Sequence, residues 1–242
     1  MLENKRIVFI SDIHLSPEFP ERTRKFISFL NSLKGNTAAL YILGDLFDFW
    51  IGEDHLKLQE HKDAISALNN LSKSGVLIFF IKGNRDFYTD KKLEWQSGMK
   101  ILGENHSLSL DGTKIFLTHG DTIAIADKLY PTFRRLSRSK ICAGIFGLLP
   151  AKTKYRLAAK ARKTSMDINA GKKHSGIVKN KAAAVFRKGF DVIICGHIHK
   201  VSKLKLETNG LMHAVYTLGD WNDTAPYLQY SGGVFRNLKF EI

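Results

Sequence analysis

Residues 7–14, Ile7-Val8-Phe9-Ile10-Ser11-Asp12-Ile13-His14, run four apolar positions into an Asp-x-His triplet. The apolar part reads as a short buried strand. Working outward, Glu21 to Lys34 places Phe26, Phe29, Leu30 and Leu33 on one face of a helix. Ala39 to Leu43 repeats the strand signal, Glu60 to Ser74 the helix, and Val76 to Ile81 a third strand. Strand–helix alternation of this kind implies parallel βαβ units with helices covering the sheet, so the expected fold class is α/β. Past Gly98 the period shortens: Leu108, Leu110, Ile115 and Leu117 flank the turn pair Asp111-Gly112, the pattern of a hairpin. Ile193-Ile194, Met212 to Leu218 and Val234 to Phe240 supply further strands, and no internal repeat is evident.

Composition narrows the class. The chain has 242 residues, 44% hydrophobic, 25% charged and 11% aromatic, which excludes a collagen-like repeat, a coiled coil and low-complexity disorder. A single domain over 1–242 is expected at this length. Cys142 and Cys195 are too few for a disulfide framework and fit a reducing compartment. The longest apolar runs, Val76 to Ile81 and Ile141 to Leu149, fall well below the ~20 residues of a spanning helix. Ile7 to Ile10 is too brief for a signal-peptide core. The expected location is therefore the cytoplasm.

The charge is unusual. With 37 Lys and Arg against 23 Asp and Glu, the net charge is +14, which points to anionic partners. Between Asp127 and Lys173, thirteen basic residues face two acidic ones, leaving +11 in that segment alone. Two basic helical stretches are expected there around the apolar run Ile141 to Leu149, ended by Pro150. Solvated Lys and Arg usually only keep a protein soluble. Concentrated around Phe146, Leu148 and Leu149, they read instead as an interfacial amphipathic element.

Five short blocks then set Asp, His and Asn just after strands: Asp12-Ile13-His14, Gly44-Asp45, Gly83-Asn84-Arg85-Asp86, His119-Gly120-Asp121 and Gly196-His197-Ile198-His199. Ligands collect at the C-terminal ends of parallel strands. Positions two apart, Asp12 with His14 and His197 with His199, share one side of an extended segment and so can face one ion. Glycines before Asp45, Asn84 and His197 give the tight turns. Carboxylate, imidazole and amide oxygen together suit Mn, Fe or Zn better than Ca. A single GD or GN is an ordinary turn pair, but the ordered set of five is not explained by turns. Seven donors exceed one ion's needs, so two ions sharing a carboxylate is the economical reading.

In this order, DxH, GD, GNRD, HGD and GHxH resemble the calcineurin-like metallophosphoesterase superfamily. The resemblance implies a four-layer αββα sandwich and a metal-activated water that attacks phosphorus. It implies Asp12, His14, Asp45 and His199 around one ion, and Asp45, Asn84, His119 and His197 around the other. Asp45, Asn84, Arg85, His119 and His197 would then carry catalysis. Protein phosphatases of the fold have His at the place of Arg85, and an arginine side chain does not deliver a proton at neutral pH. An arginine can instead grip a phosphate bidentately. That favours a substrate with a good leaving group.

A longer match is similar to the UDP-2,3-diacylglucosamine pyrophosphatases of lipid A biosynthesis. It runs through Tyr41 to Asp54, Gly83 to Phe87 and Thr118 to Thr122. That resemblance implies hydrolysis of UDP-2,3-diacylglucosamine to UMP and 2,3-diacylglucosamine 1-phosphate. It also implies two Mn ions (Fe or Zn as alternatives) and a peripheral place on the cytoplasmic face of the inner membrane. A helical lid, here the insertion at about 126–174, would clamp the acyl chains and meet the anionic membrane surface. Asn84, Arg85, Asp127, Tyr130, Arg162, Ser165, Asn169, Lys172 and His197 would contact substrate; Ser165, Asn169 and Lys172 share a helical face at i, i+4, i+7. Trp50 reads as core or as pocket wall. Lys200-Val201 and the stretch Gly219 to Asp223 depart from the family pattern and lie outside the seven donors. No nucleic-acid partner and a monomeric state are expected. The alternatives are a nuclease or other phosphodiesterase on the same dinuclear core, and a scaffold that has lost its chemistry.

Overall fold

Strand alternation sets the layers. The computed structural model of the chain describes residues 5–241 apart from 51, 87, 128, 151–152, 155, 158–159 and 161–175. In it, β1 (Arg6–Ile10) pairs in parallel with β2 (Thr37–Ile42), Ile7 opposite Ala39 and Ile10 opposite Ile42. β3 (Leu77–Phe80) and β4 (Lys100–Ile101) extend the parallel set. β5 (Asn105–Leu110) and β6 (Thr113–Thr118) form the hairpin expected around Asp111-Gly112. β7 (Val192–Cys195), β8 (Ser202–Thr208) and β9 (Leu211–Thr217) complete that sheet in the order β5-β6-β7-β9-β8. β10 (Ala225–Ser231) and β11 (Val234–Phe240) return to the first sheet, β10 lying antiparallel beside β1.

Helices cover both outer faces. α1 (Pro20–Ser32) and α2 (Gln59–Lys73) bury Phe26, Phe29 and Leu30, and Ala64, Leu68 and Leu71, against Val8, Ile10, Leu40 and Ile42. The intervening strand residues Phe9, Tyr41 and Leu43 point the other way and meet Ile115, Leu117, Ile194 and Tyr216 of the second sheet. Beyond that sheet, Ile193, Cys195 and Val215 pack on Ala182, Val185 and Phe186 of the last helix, Lys179–Phe186. Burial of each large apolar side chain contributes about 1.5–3 kcal/mol, so both strand faces drive assembly. The result is the four-layer αββα order expected from the sequence. Trp50 is buried in the first core, beside Phe47.

Helices also lie near the strand ends: α3 (Lys91–Ser97), the short α4 (Asp121–Ala124), α5 (Tyr130–Ser137) and α6 (Lys140–Leu148), which makes the last helix α7. The apolar run expected between two basic helices is itself a helix. In α6, Ser139 caps the N-terminus by accepting from the Cys142 N–H at 3.2 Å, and Pro150 follows the end. The expected helix over Ser165, Asn169 and Lys172, with Arg162, lies outside the described residues.

Candidate active site

All five blocks fall at one rim, where β1, β2, β3, β6 and β7 end. The β1 and β2 loops zip together beyond the strands: the N–H groups of Asp12 and His14 donate to the carbonyls of Gly44 and Asp45 at 3.1 and 3.0 Å. Asp12, His14, Asp45, His197 and His199 all have left-handed backbones, with φ between 52° and 68°. This corrects the extended-segment reading: no two-residue alternation aims Asp12 with His14 or His197 with His199. Each side chain is aimed by a turn that costs a β-substituted residue on the order of 1 kcal/mol, the kind of strain found at functional sites.

Glycine has a spatial role here as well as a conformational one. A Cβ at Gly83 would collide with the Asp45 carboxylate, and one at Gly196 with the Ser11 hydroxyl and Asp12 carboxylate. Those close approaches let the loops meet.

Two donor groups result. In the first, His199 Nε2 stands 3.4 Å from Asp12 Oδ1 and 3.3 Å from His14 Nε2, and His14 Nε2 is 3.9 Å from the same oxygen. In the second, Asn84 Oδ1 lies 2.8 Å from His119 Nε2 and 2.9 Å from His197 Nδ1, while Asp45 Oδ1 is 3.7 Å from His119 Nε2. Donor atoms of Asp12, His14 and His199 lie within 4.8 Å of one another, as do those of Asp12, Asp45 and His119. The seven residues singled out in the sequence therefore converge.

The buried donors fit a metal. Asp12 Oδ1 is buried with no hydrogen-bond partner, among imidazole nitrogens, where an uncompensated carboxylate oxygen is costly. His119 Nδ1 sits 2.9 Å from the Leu43 carbonyl, which assigns that nitrogen the proton and leaves Nε2 a lone pair facing Asn84 and Asp45.

Burial is the largest influence on the titration of the whole cluster. It drives His14 well below its ordinary value, with the Arg85 guanidinium adding to it. It lowers His197 to about 4, with His119 adding to it. For His199 the carboxylates of Asp12 and Asp220 outweigh burial and push it up to about 10. For His119 the charges of Asp45 and Asp12 outweigh burial and raise it. Burial and the neighbouring Asp12 raise Asp45, whereas His199 and His119 hold Asp12 far below its range despite burial. The field of two buried carboxylates thus calls positive charge into the space between the loops.

Around the donors stand residues that the sequence reading did not assign. Asp86, fully buried, accepts from the N–H groups of Gly83 (2.9 Å), Leu46 (2.7 Å) and Asp45 (3.2 Å), tying the β2 and β3 loops together. Burial and the Asp45 charge push it up to about 7, and those N–H groups pull against them. Asp48 receives Arg85 Nη1 at 2.6 Å, and the Arg85 N–H donates to Asp45 Oδ1 at 3.0 Å. Asp121 accepts Tyr130 Oη at 2.7 Å and Arg134 Nε at 2.6 Å. The Arg134 Nη1 group reaches Glu104 at 2.5 Å; Arg138 pairs with the same carboxylate and donates to the Gly83 carbonyl at 2.9 Å. Asp86 and Asp121 stand inside GNRD and HGD, but composition gives no sign that their partners are backbone amides and a distant helix.

Of the expected substrate contacts, Asn84, Arg85 and His197 lie at the centre. Tyr130 is at its edge, its hydroxyl held by Asp121. Asp127 is exposed and accepts from the Leu129 N–H at 2.8 Å. Arg162, Ser165, Asn169 and Lys172 lie outside the described residues.

Two carboxylates, an amide and four imidazoles at one rim of a two-sheet sandwich make the kind of centre that performs metal-assisted hydrolysis. Residues 5–201 match the family of calcineurin-like phosphoesterases, and the chain belongs to that family. Among its relatives is a UDP-2,3-diacylglucosamine hydrolase of Ectopseudomonas mendocina, 37% identical over 240 residues, covering 98% of each chain. One from Neisseria meningitidis is 38% identical over 234 residues, covering 94% of this chain and 95% of its own. Another from Psychromonas ingrahamii is 34% identical over 227 residues, covering 93% of each.

Proposed function

We propose that the chain hydrolyses the pyrophosphate bond of UDP-2,3-diacylglucosamine, a step of lipid A biosynthesis, giving UMP and 2,3-diacylglucosamine 1-phosphate. The observation that carries this is the convergence of all seven donors in a chain aligned nearly end to end with relatives of that name. Asp12, His14, Asp45 and His199 would hold one Mn ion, and Asp45, Asn84, His119 and His197 the other, with Fe or Zn as alternatives. Such a pair lowers the pKa of a water toward ~7 and neutralises phosphate oxygens.

The residues define the rest. Arg85 would bind phosphate through its guanidinium, a group that does not serve as a general acid for the leaving group. That restricts the site to substrates whose leaving group is stable as an anion, which a sugar phosphate or UMP is. Asp48 and the Asp45 carboxylate hold the Arg85 guanidinium next to the donors, where it would meet a substrate phosphate.

The lid supports a lipid substrate. Among its described residues, Leu129, Phe133 and Leu136 of the α5 region and Ile141, Ile145 and Leu148 of α6 are exposed, Leu148 at 88%. Exposed Arg135, Arg156 and Lys160 accompany them. Apolar surface with basic residues suits acyl chains and an anionic cytoplasmic leaflet, each basic residue adding about 1 kcal/mol. Among the described residues no helix is long and apolar enough to cross a membrane, so such contact would be peripheral.

The test is turnover by purified, Mn-loaded protein of UDP-diacylglucosamine beside single-stranded DNA and p-nitrophenyl phosphodiesters. UMP release from the lipid nucleotide, with little product from the others, is the expected result. Nucleotides released from DNA with no UMP from the lipid would replace this reading with a nuclease.

A further inference from the structure

We propose that Asp220 is a positioning residue of the metal centre: its carboxylate takes the Nδ1–H of His199 and thereby presents Nε2 toward Asp12 and His14. The inference rests on the metal reading above. An imidazole that ligates through one nitrogen must carry its proton on the other, and the partner of that other nitrogen decides which is which. Here Nδ1 lies 3.2 Å from Asp220 Oδ2, on the edge of the ring away from Nε2 and the donors. His119 is oriented by a neutral carbonyl, whereas His199 has a carboxylate. A charged acceptor makes the stronger hydrogen bond and the more basic ligand.

Asp220 is itself held. Asn222 Nδ2 donates to Asp220 Oδ2 at 2.6 Å, Arg22 Nη2 donates to Asn222 Oδ1 at 2.7 Å, and Arg22 Nη1 donates to the His14 carbonyl at 2.9 Å. A polar chain therefore leaves the first metal loop at His14 and returns to the centre at His199. Between Asp220 and Asn222, the fully buried Trp221 packs edge-on against Phe26 and Phe29 of α1, and its backbone N–H donates to the Asp12 carbonyl at 3.3 Å. The core thus fixes the loop after β9, and the loop fixes the histidine. His199 needs this support because its left-handed backbone, at φ 58°, sits in a turn beyond β7 with no strand ladder to aim the ring.

The experiment is Mn titration by calorimetry of the full chain, with the melting of the metal-free form as a parallel readout. In Asp220→Asn, one of the two Mn sites should weaken about 10–100-fold, the other should hold, and metal-free melting should stay put. Asp220→Glu should recover part of the affinity. Should Asp220→Asn fail to fold, Asn222→Ala, which frees the carboxylate without removing it, should still weaken the same site by a smaller factor. Wild-type protein binding two ions with both variants indistinguishable from it would overturn the role of Asp220 and leave the metal centre standing. Wild-type protein binding no Mn would overturn the metal reading itself.

Discussion

At the scale of single residues, Asp45 brings a carboxylate oxygen within 4.8 Å of donor atoms of Asp12 and His119, and its charge is opposed in the metal-free chain. Burial and the Asp12 carboxylate both raise its pKa. Asp45→Asn should therefore abolish Mn-dependent hydrolysis while leaving the melting temperature of the metal-free form equal or higher, since a buried like-charge contact is relieved. Full activity in that variant would remove the shared-carboxylate reading. His55 behaves in the opposite sense. It is buried beside Trp50 and His61, and burial, with His61 adding to it, lowers it to about 3 from an ordinary 6.5. The folded state keeps it neutral where the unfolded chain takes a proton. Its stabilising share is thus complete above about pH 6.5 and is lost as pH falls toward 3. Denaturant unfolding of the metal-free form between pH 7.5 and 4.5 should lose stability more steeply in wild type than in His55→Phe; equal slopes would contradict this. The donors were legible because each block joins a rare residue type to a strand end. Asp86, Asp121 and Asp220 were not, because a carboxylate's partner is chosen by turns that short-range pattern does not encode.

At the scale of elements, α5 is fastened to the loops that carry the donors by one acidic–basic cluster. Glu104 lies on the segment between β4 and β5 and holds Arg134 and Arg138, while these reach Asp121 and the Gly83 carbonyl. Tyr88 adds a second fastening, donating to the Ser137 carbonyl at 2.9 Å and stacking on Phe146 of α6 at 5.0 Å. Glu104→Gln should loosen α5 by about 1 kcal/mol, a figure held down by the solvent that reaches this partly exposed carboxylate. Amide exchange over 130–137 should quicken, and KM for the lipid nucleotide should rise more than kcat falls. Unchanged exchange would show that the cluster does not fasten the helix. The first three strands and the helices α1 and α2 were readable to within one or two residues, since their apolar period is set by the faces they bury, whereas the short α3 and β4 were not read. The α1 boundary moved from Glu21–Lys34 to Pro20–Ser32: Pro20 needs no N–H at the first turn, and Leu33 turns in to close the core. The nature of α6 was harder to read, because an exposed apolar helix and a buried strand share the same short run.

At the scale of the whole molecule, the charge is the property on which the proposed membrane contact rests. Lys154 of the basic segment is buried and paired with Asp54 at 3.5 Å, so it is not a free surface charge. Arg135, Arg156 and Lys160 are exposed. Reversing these three to Glu should weaken partition onto anionic vesicles by about a hundredfold or more, at about 1 kcal/mol each, with a shallower salt dependence. Partition equal to wild type would count against membrane docking. Helix-covered parallel strands could be read from strand–helix alternation and the four layers from the family resemblance, but the return of β10 and β11 to the first sheet could be read from neither. Their alternating pattern suits an edge of either sheet, and only packing of Leu228 and Tyr230 between the sheets selects the first. The central claim is that seven side chains from five loops hold a pair of metal ions. Anomalous scattering at the manganese edge, from crystals grown with Mn, tests it most directly. Two peaks roughly 3.5–4 Å apart, both touching Asp45, are the predicted result. One peak, or two with Asp45 bound to neither, would contradict it.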